Sequence, residues 1–419
     1  VSSRARNTRR GSVFVLALLG MVLMTMVVAS FSVRMAAHVK SETIRIDRRK
    51  AESAAQAGIA RAMASLAEAN VNVVTETDEW FDLGQQGDEL FVIGDSQFRI
   101  EILDAGRFAN LNSIDTEQMR RMNLTDDVIE SILDWREEQL QPRTQGAKDE
   151  YYNGLVNPYN AKLRAFETVE EILLVKGMTP ELLYQPPQVT GGNVLVNGAL
   201  EDQPALDALI TTDSTSTNNR ADGTTRVNVN TVNQGQLVTA GLSNQGAAAI
   251  INRRNTQGTF AGLSAVLQTP GLSNADITAV LNALTVTAET TVSGKMNLNT
   301  VTEPVLRTIP DLTDDQIQSI LSRQPTFAEL GDLATLSGFT PQNVQTFADR
   351  FTVSASSFLV RVEGRRGSAT VHLEAVVTVT EGVPTLRKTI RPTLADIITR
   401  WEWAAETTTE TVLMERPTR

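Results

Sequence analysis

From Gly11 to Val33 the chain carries no charge, and its only polar side chains are Ser12, Thr25, Ser30 and Ser32. About 22 such residues are what one helix needs to cross a bilayer. Arg4, Arg6, Arg9 and Arg10 precede the run, and Arg34, His38 and Lys40 follow it without a Pro or a break. The pattern predicts a membrane helix that runs on as a soluble stalk, together residues 12–69. In the stalk, Ala51, Ala55, Ile59, Ala62, Met63 and Leu66 recur at three- and four-residue steps, with Arg48, Arg49, Glu52, Gln56, Arg61 and Glu68 between them. That is one apolar helix face built mostly of Ala, which lets a partner surface come close. We expect it to pack on a sheet; a helical linker is the alternative. Basic residues beside a span stay cytoplasmic, which places residue 34 onward outside the cytoplasm. A cleaved secretory signal and a plain anchor are competing readings of the same run.

The period then changes to two. Phe91 and Ile93 lead through Gly94-Asp95 to Phe98, Ile100 and Ile102, which alternate with Arg99 and Glu101, a hairpin pattern over 89–104. A second hairpin is expected over 357–379: Leu359 to Glu363, a turn at Gly364 to Gly367, then Ala369, Val371, Leu373, Ala375 and Val377 alternating with Thr370, His372 and Glu374. His372 would face solvent. A last strand is expected near Ile397 to Trp403. Residues 70–106 and 353–404 thus read as two parts of one antiparallel sheet, split by an insertion and followed by a polar tail over 405–419.

The insertion repeats itself. Asn110-Leu111-Asn112-Ser113, Asn228-Val229-Asn230-Thr231 and Asn297-Leu298-Asn299-Thr300 each precede a helical pattern. A second signature occurs six times: a turn residue, an apolar residue, then Ser or Thr. The turn residues are Asn123, Gly177, Gly241, Gly271, Asp311 and Gly338. Each would end one helix in a left-handed conformation, and the Ser or Thr would cap the next. Each Asn-x-Asn unit also holds a central Phe, at 166, 260 or 327. Three units of paired helical hairpins explain the period. They span 107–184, 226–287 and 288–352, with a linker at 185–225 that carries Pro186-Pro187, Gly191-Gly192 and a polar run from Thr211 to Asn219.

Charge and composition narrow the chemistry. Such units resemble helix-hairpin-helix modules, which in their DNA-binding form aim a Gly-rich hairpin at phosphate. Here Ser or Thr replaces the second Gly, and residues 107–352 hold 17 basic against 28 acidic residues. The whole chain has net charge −11 at pH 7. Nucleic acid is therefore not an expected partner. With no Cys and only His38 and His372, thiolate and histidine chemistry are excluded. No nucleophile motif or phosphate loop appears, so no enzyme is expected. The first unit has about 26 more residues than the others before its Phe, including a loop from Glu137 to Lys162 with acidic and aromatic side chains. Carboxylates and carbonyls in such a loop can bind calcium; a solvated loop is the plainer reading.

Several of these segments together resemble one family, the K-type minor pseudopilins of bacterial type II secretion (general secretion pathway protein K, GspK). Arg9-Arg10-Gly11 before the apolar run looks like a prepilin leader over 1–11, and Ala51 to Ala62 looks like the family's stalk. Asp134-Trp135, Gly146-Ala147, Tyr151-Tyr152, Pro158-Tyr159, Phe166 and the series from Glu170 to Thr179 follow its helical domain. The resemblance implies an α+β fold: a long N-terminal transmembrane and stalk helix on a pilin-like antiparallel sheet, with a large all-α insertion of helix-hairpin-helix (SAM-like) repeats. It implies cleavage between Gly11 and Ser12 by a prepilin peptidase and methylation of Ser12. The fifth residue after the cut is Leu16, where most pilin-like subunits have Glu; its absence marks a tip subunit. The implied partners are the I and J minor pseudopilins and then the pseudopilus. The implied place is the bacterial inner membrane, single pass, with the N-terminus cytoplasmic and the bulk periplasmic. The resemblance also implies Ca2+ near the acidic loop, with Asp134, Glu137, Glu138, Asp149 and Glu150 as candidate ligands. The chain departs from the family's acids there, with Arg136-Glu137-Glu138-Gln139 and with Lys148. The alternative is a membrane-anchored helix-hairpin-helix DNA receptor of the competence type, which should be basic and keep Gly-rich hairpins.

Overall fold

The structure, a computed structural model, describes residues 9–187, 203–401 and 403. Helix α1 (Arg9–Leu66) is continuous over 58 residues. By length and composition it can cross a membrane, and every side chain from Val13 to Lys40 is exposed. Ala51, Ala54, Ala55, Ile59, Ala62 and Leu66 are buried, the stripe that the sequence spacing marks out.

That stripe lies on one antiparallel sheet of five strands in spatial order β1 (Phe91–Ile93), β2 (Ser96–Asp104), β3 (Ser357–Arg366), β4 (Ala369–Thr380) and β5 (Val383–Ile390). Alternation fixes the register. Val360 lies opposite Ile102 and Ala375, and its neighbour Arg361 lies opposite Glu101 and Glu374. One face therefore collects Ile100, Ile102, Phe358, Val360 and Val362 against α1. Helix and sheet meet at glycine distance. A Cβ on Gly58 would stand 2.5 Å from Val362 Cγ1, and one on Gly364 would fall on the Ala51 carbonyl oxygen.

The other face is an ion lattice under a lid. Arg361 pairs with Glu101 (3.0 Å) and Glu374 (3.1 Å), and Arg400 reaches Glu374 at 3.5 Å. The cover is α3 (Leu394–Arg400) with Trp401 behind it. Here the structure corrects the strand expected at Ile397 to Trp403. Ile397, Ile398 and Trp401 suit a strand, but Thr393 and Asp396 form a capping box that opens a helix. His372 is likewise not a solvent residue. It lies against the Trp401 ring, 5.6 Å between centroids, and within 3.2 Å of the buried Glu363 carboxylate. The polar tail over 405–419 lies outside the described residues, as does most of the 1–11 segment.

The insertion leaves the sheet after β2 and returns at β3. It contains a structural motif repeated three times, each closed by a two-residue parallel ladder: Ala109–Asn110 with Ile210–Thr211, Val227–Asn228 with Leu284–Thr285, and Met296–Asn297 with Phe351–Thr352. The second Asn of each motif clamps the main chain of the central Phe. Asn112 bonds Phe166 N and O at 2.7 and 3.0 Å, Asn230 bonds Phe260 at 2.8 and 3.0 Å, and Asn299 bonds Phe327 at 2.8 and 2.9 Å. Arg136, Arg254 and Gln324 hold equivalent carbonyls beside the three motifs. All six corner residues have positive φ, from 62° at Asp311 to 112° at Gly241. Thr179, Ser243, Ser273, Thr313 and Thr340 cap the next helix through their side chains; Thr125 instead donates to Asp127. Replacing Asn299, which is fully buried, with alanine strips Phe327 of two partners. The expected loss is about 2–3 kcal/mol in denaturant unfolding, with a smaller loss for Asn112→Ala at its half-exposed site.

The stretch 185–225, expected as a linker, is partly structured. Residues 188–202 of it lie outside the described residues. Leu206, Leu209 and Ile210 are buried, and Ile210–Thr211 closes the first ladder. Thr215–Thr217 pairs with Thr291–Ser293, and Thr215 Oγ1 bonds Ser356 Oγ at 2.9 Å beside the root of β3. Its hydroxyl-rich composition reads as loop because these side chains pair with one another instead of forming an apolar pattern.

Candidate functional site

The acidic loop hangs from α2 (Asp126–Arg136), an amphipathic helix that buries Val128, Ile129, Ile132 and Trp135. Trp135 anchors an aromatic cluster, with ring centroids 5.3 Å from Tyr152, 6.2 Å from Tyr159 and 6.5 Å from Phe166. Its indole Nε1 donates to Glu171 Oε1 at 2.9 Å. Burial works against the Glu171 carboxylate, but the Glu167 amide, Lys162 and Trp135 together hold it below the usual carboxylate range. Burial pushes the Tyr152 hydroxyl up to about 12, so it stays protonated. Tyr159 donates to the Leu174 carbonyl at 2.8 Å, and the Lys176 amide donates to Tyr152 at 3.2 Å. These bonds tie the loop to the segment from Glu170 to Thr179.

Of the five candidate calcium ligands, two come together. The Asp134 carboxylate is 1% exposed and accepts from Arg143 N (3.0 Å) and Arg143 Nη1 (2.9 Å). Both Glu137 oxygens accept from Arg143 Nη2, at 2.9 and 2.7 Å. The Lys148 ammonium donates to the Asp134 carbonyl and, at 3.0 Å, to the Glu137 carbonyl. Burial lowers the Lys148 pKa from its ordinary value. A Cβ on Gly146 would collide with the Asp134 carboxylate, so the loop passes Asp134 at glycine distance. Asp149 is engaged elsewhere, accepting from Ala161 N at 2.8 Å, while Glu138 and Glu150 are exposed. Among the described residues no three carboxylates converge as metal ligands. The residues present do not fit calcium. The two carboxylates and the two carbonyls that could have served a cation are occupied by a guanidinium and an ammonium.

At the other end, Gly11 and Ser12 lie in the first turns of α1, and the Leu16 side chain is exposed among other apolar residues of the same helix. The sequence reading missed Arg143 as the partner of Asp134. Its distance of nine residues fits no helical or strand spacing, and only the path of the loop brings the two together.

Residues 110–186 match the family model described as "Type II secretion system (T2SS), protein K". The matched segment contains α2, the aromatic cluster and the Arg143–Lys148 loop. Among solved structures, the chain is similar to "The Crystal Structure of the GspK-GspI-GspJ complex from enterotoxigenic Escherichia coli Type 2 Secretion System". The identity is 13%, with 86% of this chain and 99% of that chain covered and a TM-score of 0.41. No curated protein matches the chain.

Proposed function

We infer from the match of residues 110–186 to the protein K family model that this chain is a K-type minor pseudopilin of the type II protein secretion machinery. That match carries the reading, and the long apolar helix packed on an antiparallel sheet agrees with it. The role is structural and not enzymatic. The helix anchors the chain in the bacterial inner membrane, N-terminus cytoplasmic and bulk periplasmic, in keeping with the arginines before the span. A prepilin peptidase cuts between Gly11 and Ser12. The mature chain then has Leu16 in place of the carboxylate that would neutralise a neighbour's N-terminus in an apolar filament core. An unpaired charge there is costly, so a subunit without that Glu suits the tip, where nothing stacks above it. The helical insertion supports the same place by its bulk, and its corner-and-cap units act as helix-hairpin-helix modules in a structural role. At the tip the chain joins the I and J minor pseudopilins and starts pseudopilus assembly. Arg143 and Lys148 hold the loop in place of a metal ion. No observation favours a DNA receptor, since the insertion is acidic.

Mass spectrometry of the chain expressed with and without an active prepilin peptidase tests this reading. The expected product with the enzyme begins at Ser12 and carries an N-methyl group. A chain that retains residues 1–11 beside an active peptidase overturns it.

A further inference from the structure

A cavity of about 420 Å3 opens between the second and third helical units. Ser216 to Asn218, the turn around Gly262, the strand end at Thr285, and Asp349, Phe351 and Thr352 line it. Two cationic side chains face it, Arg226 and Lys295, and neither forms an ion pair with a carboxylate, although Asp349 attracts Lys295 across the cavity. Arg226 donates to the carbonyls of Asn219 (3.1 Å), Leu281 (2.7 Å) and Leu284 (3.5 Å). Lys295 makes no hydrogen bond or ion pair among the described residues. The one carboxylate in the lining, Asp349, accepts from Leu263 N (2.7 Å) and Ser264 N (3.0 Å). Glu329 attracts Arg226 only from outside the lining, and its carboxylate bonds Asn282.

We propose that this cavity binds a single carboxylate, held between Lys295 and Arg226. The lining charges are two positive and one negative, so one negative charge completes the site. Adding the two further charges that act on Arg226, Glu329 and Arg220, leaves the same excess of one. A dianion such as phosphate would overshoot it. Unpaired charge away from bulk water is costly, and an anion removes that cost. Burial already pushes Lys295 down to about 8 and Arg226 down to about 10, against only the partial pull of Asp349 on Lys295 and of Glu329 on Arg226. The volume suits a small carboxylic acid or an acidic side chain, and the Thr285 hydroxyl, which accepts from Thr287 N, keeps its own hydrogen to offer as a neutral donor.

The chain has seven lysines, few enough to resolve one by one after reductive methylation with 13C-formaldehyde. The test uses the full chain in detergent micelles, with sodium acetate, a hexaglutamate peptide, sodium phosphate and sodium chloride as probes at matched ionic strength. Acetate is expected to move the Lys295 signal saturably, identified by its loss in Lys295→Met, and to leave the other lysine signals in place. Acetate should raise the unfolding midpoint of the unmodified protein and not that of Lys295→Met, a change that removes no hydrogen bond. Hexaglutamate binding at least tenfold tighter than acetate assigns the carboxylate to an acidic side chain of a partner protein. Acetate binding as tightly as the peptide assigns it to a free acid. A Lys295 signal that does not move, a uniform shift of all the lysines, or tighter binding of phosphate than of acetate overturns the proposal.

Discussion

Replacing Glu374 with alanine is expected to cost about 3–5 kcal/mol of folding stability, because it leaves Arg400 buried without an ion-pair partner and Arg361 with Glu101 alone. Glu374 lies under α3 between Arg361 and Arg400, and all three side chains are 6% exposed or less. Arg361 Nη1 also donates to the Arg400 carbonyl at 2.6 Å, and its guanidinium stands 5.9 Å over the Trp401 ring. The damage should therefore begin with release of α3, seen as hydrogen exchange in residues 394–401 before exchange in β3. A midpoint of unfolding unchanged from the unsubstituted chain would show that the lattice does not stabilise the sheet. The same groups set a pH response. Burial opposes the Glu374 charge, yet Arg400 and Arg361 hold its pKa below the usual carboxylate range. A folded pKa lower than the unfolded one gives stability that is complete above the ordinary carboxylate range. It is lost as pH falls through the lower folded value. Asp207, which accepts from Thr399 on α3, acts the other way. Burial pushes it up to about 6, so its contribution declines as pH rises from the ordinary carboxylate range through about 6.

In the acidic loop, Asp134→Ala is expected to cost about 2–4 kcal/mol, since the Arg143 main-chain amide loses its acceptor and the guanidinium keeps only Glu137. Gly146→Ala should be destabilising as well, because its methyl group meets the same carboxylate. The decisive companion measurement is thermal unfolding with millimolar EDTA and with millimolar calcium chloride. Both should leave the midpoint where it stands in buffer. A midpoint raised by calcium and lowered by the chelator would mean that Arg143 and Lys148 yield the site to a metal, contrary to the bonds they make here.

Periodic features were legible in the sequence. The Ala stripe of α1 and the alternation of β2, β3 and β4 could be read directly because helix and strand periods reach every residue of the element. The six left-handed corners were equally plain, since Gly, Asn or Asp before an apolar residue and a Ser or Thr cap is a local signal. What stayed hidden was pairing over distance. Arg361, Glu101 and Glu374 look like the wet side of a sheet until α3 is laid over them, and α3 itself was obscured by its β-branched pair Ile397-Ile398. β5 was passed over because Val383, Pro384 and Leu386 carry no clean alternation, as befits an exposed edge strand. In the loop, Lys148 was visible as a departure from an acidic pattern. Its meaning needed the two carbonyls that the fold places beside its ammonium.

The neighbouring positions of β2 and β3 have a mechanical consequence. Phe358 lies opposite Asp104, so residues 105–356 leave and rejoin the sheet at one point. A pull along α1 would pass into the sheet through its packing on β2, β3 and β4, and the inserted mass would ride beside that path as a side load, not as a link in the chain of force. The three units could then grow, shrink or be exchanged while the tensile path from anchor to sheet stayed the same length.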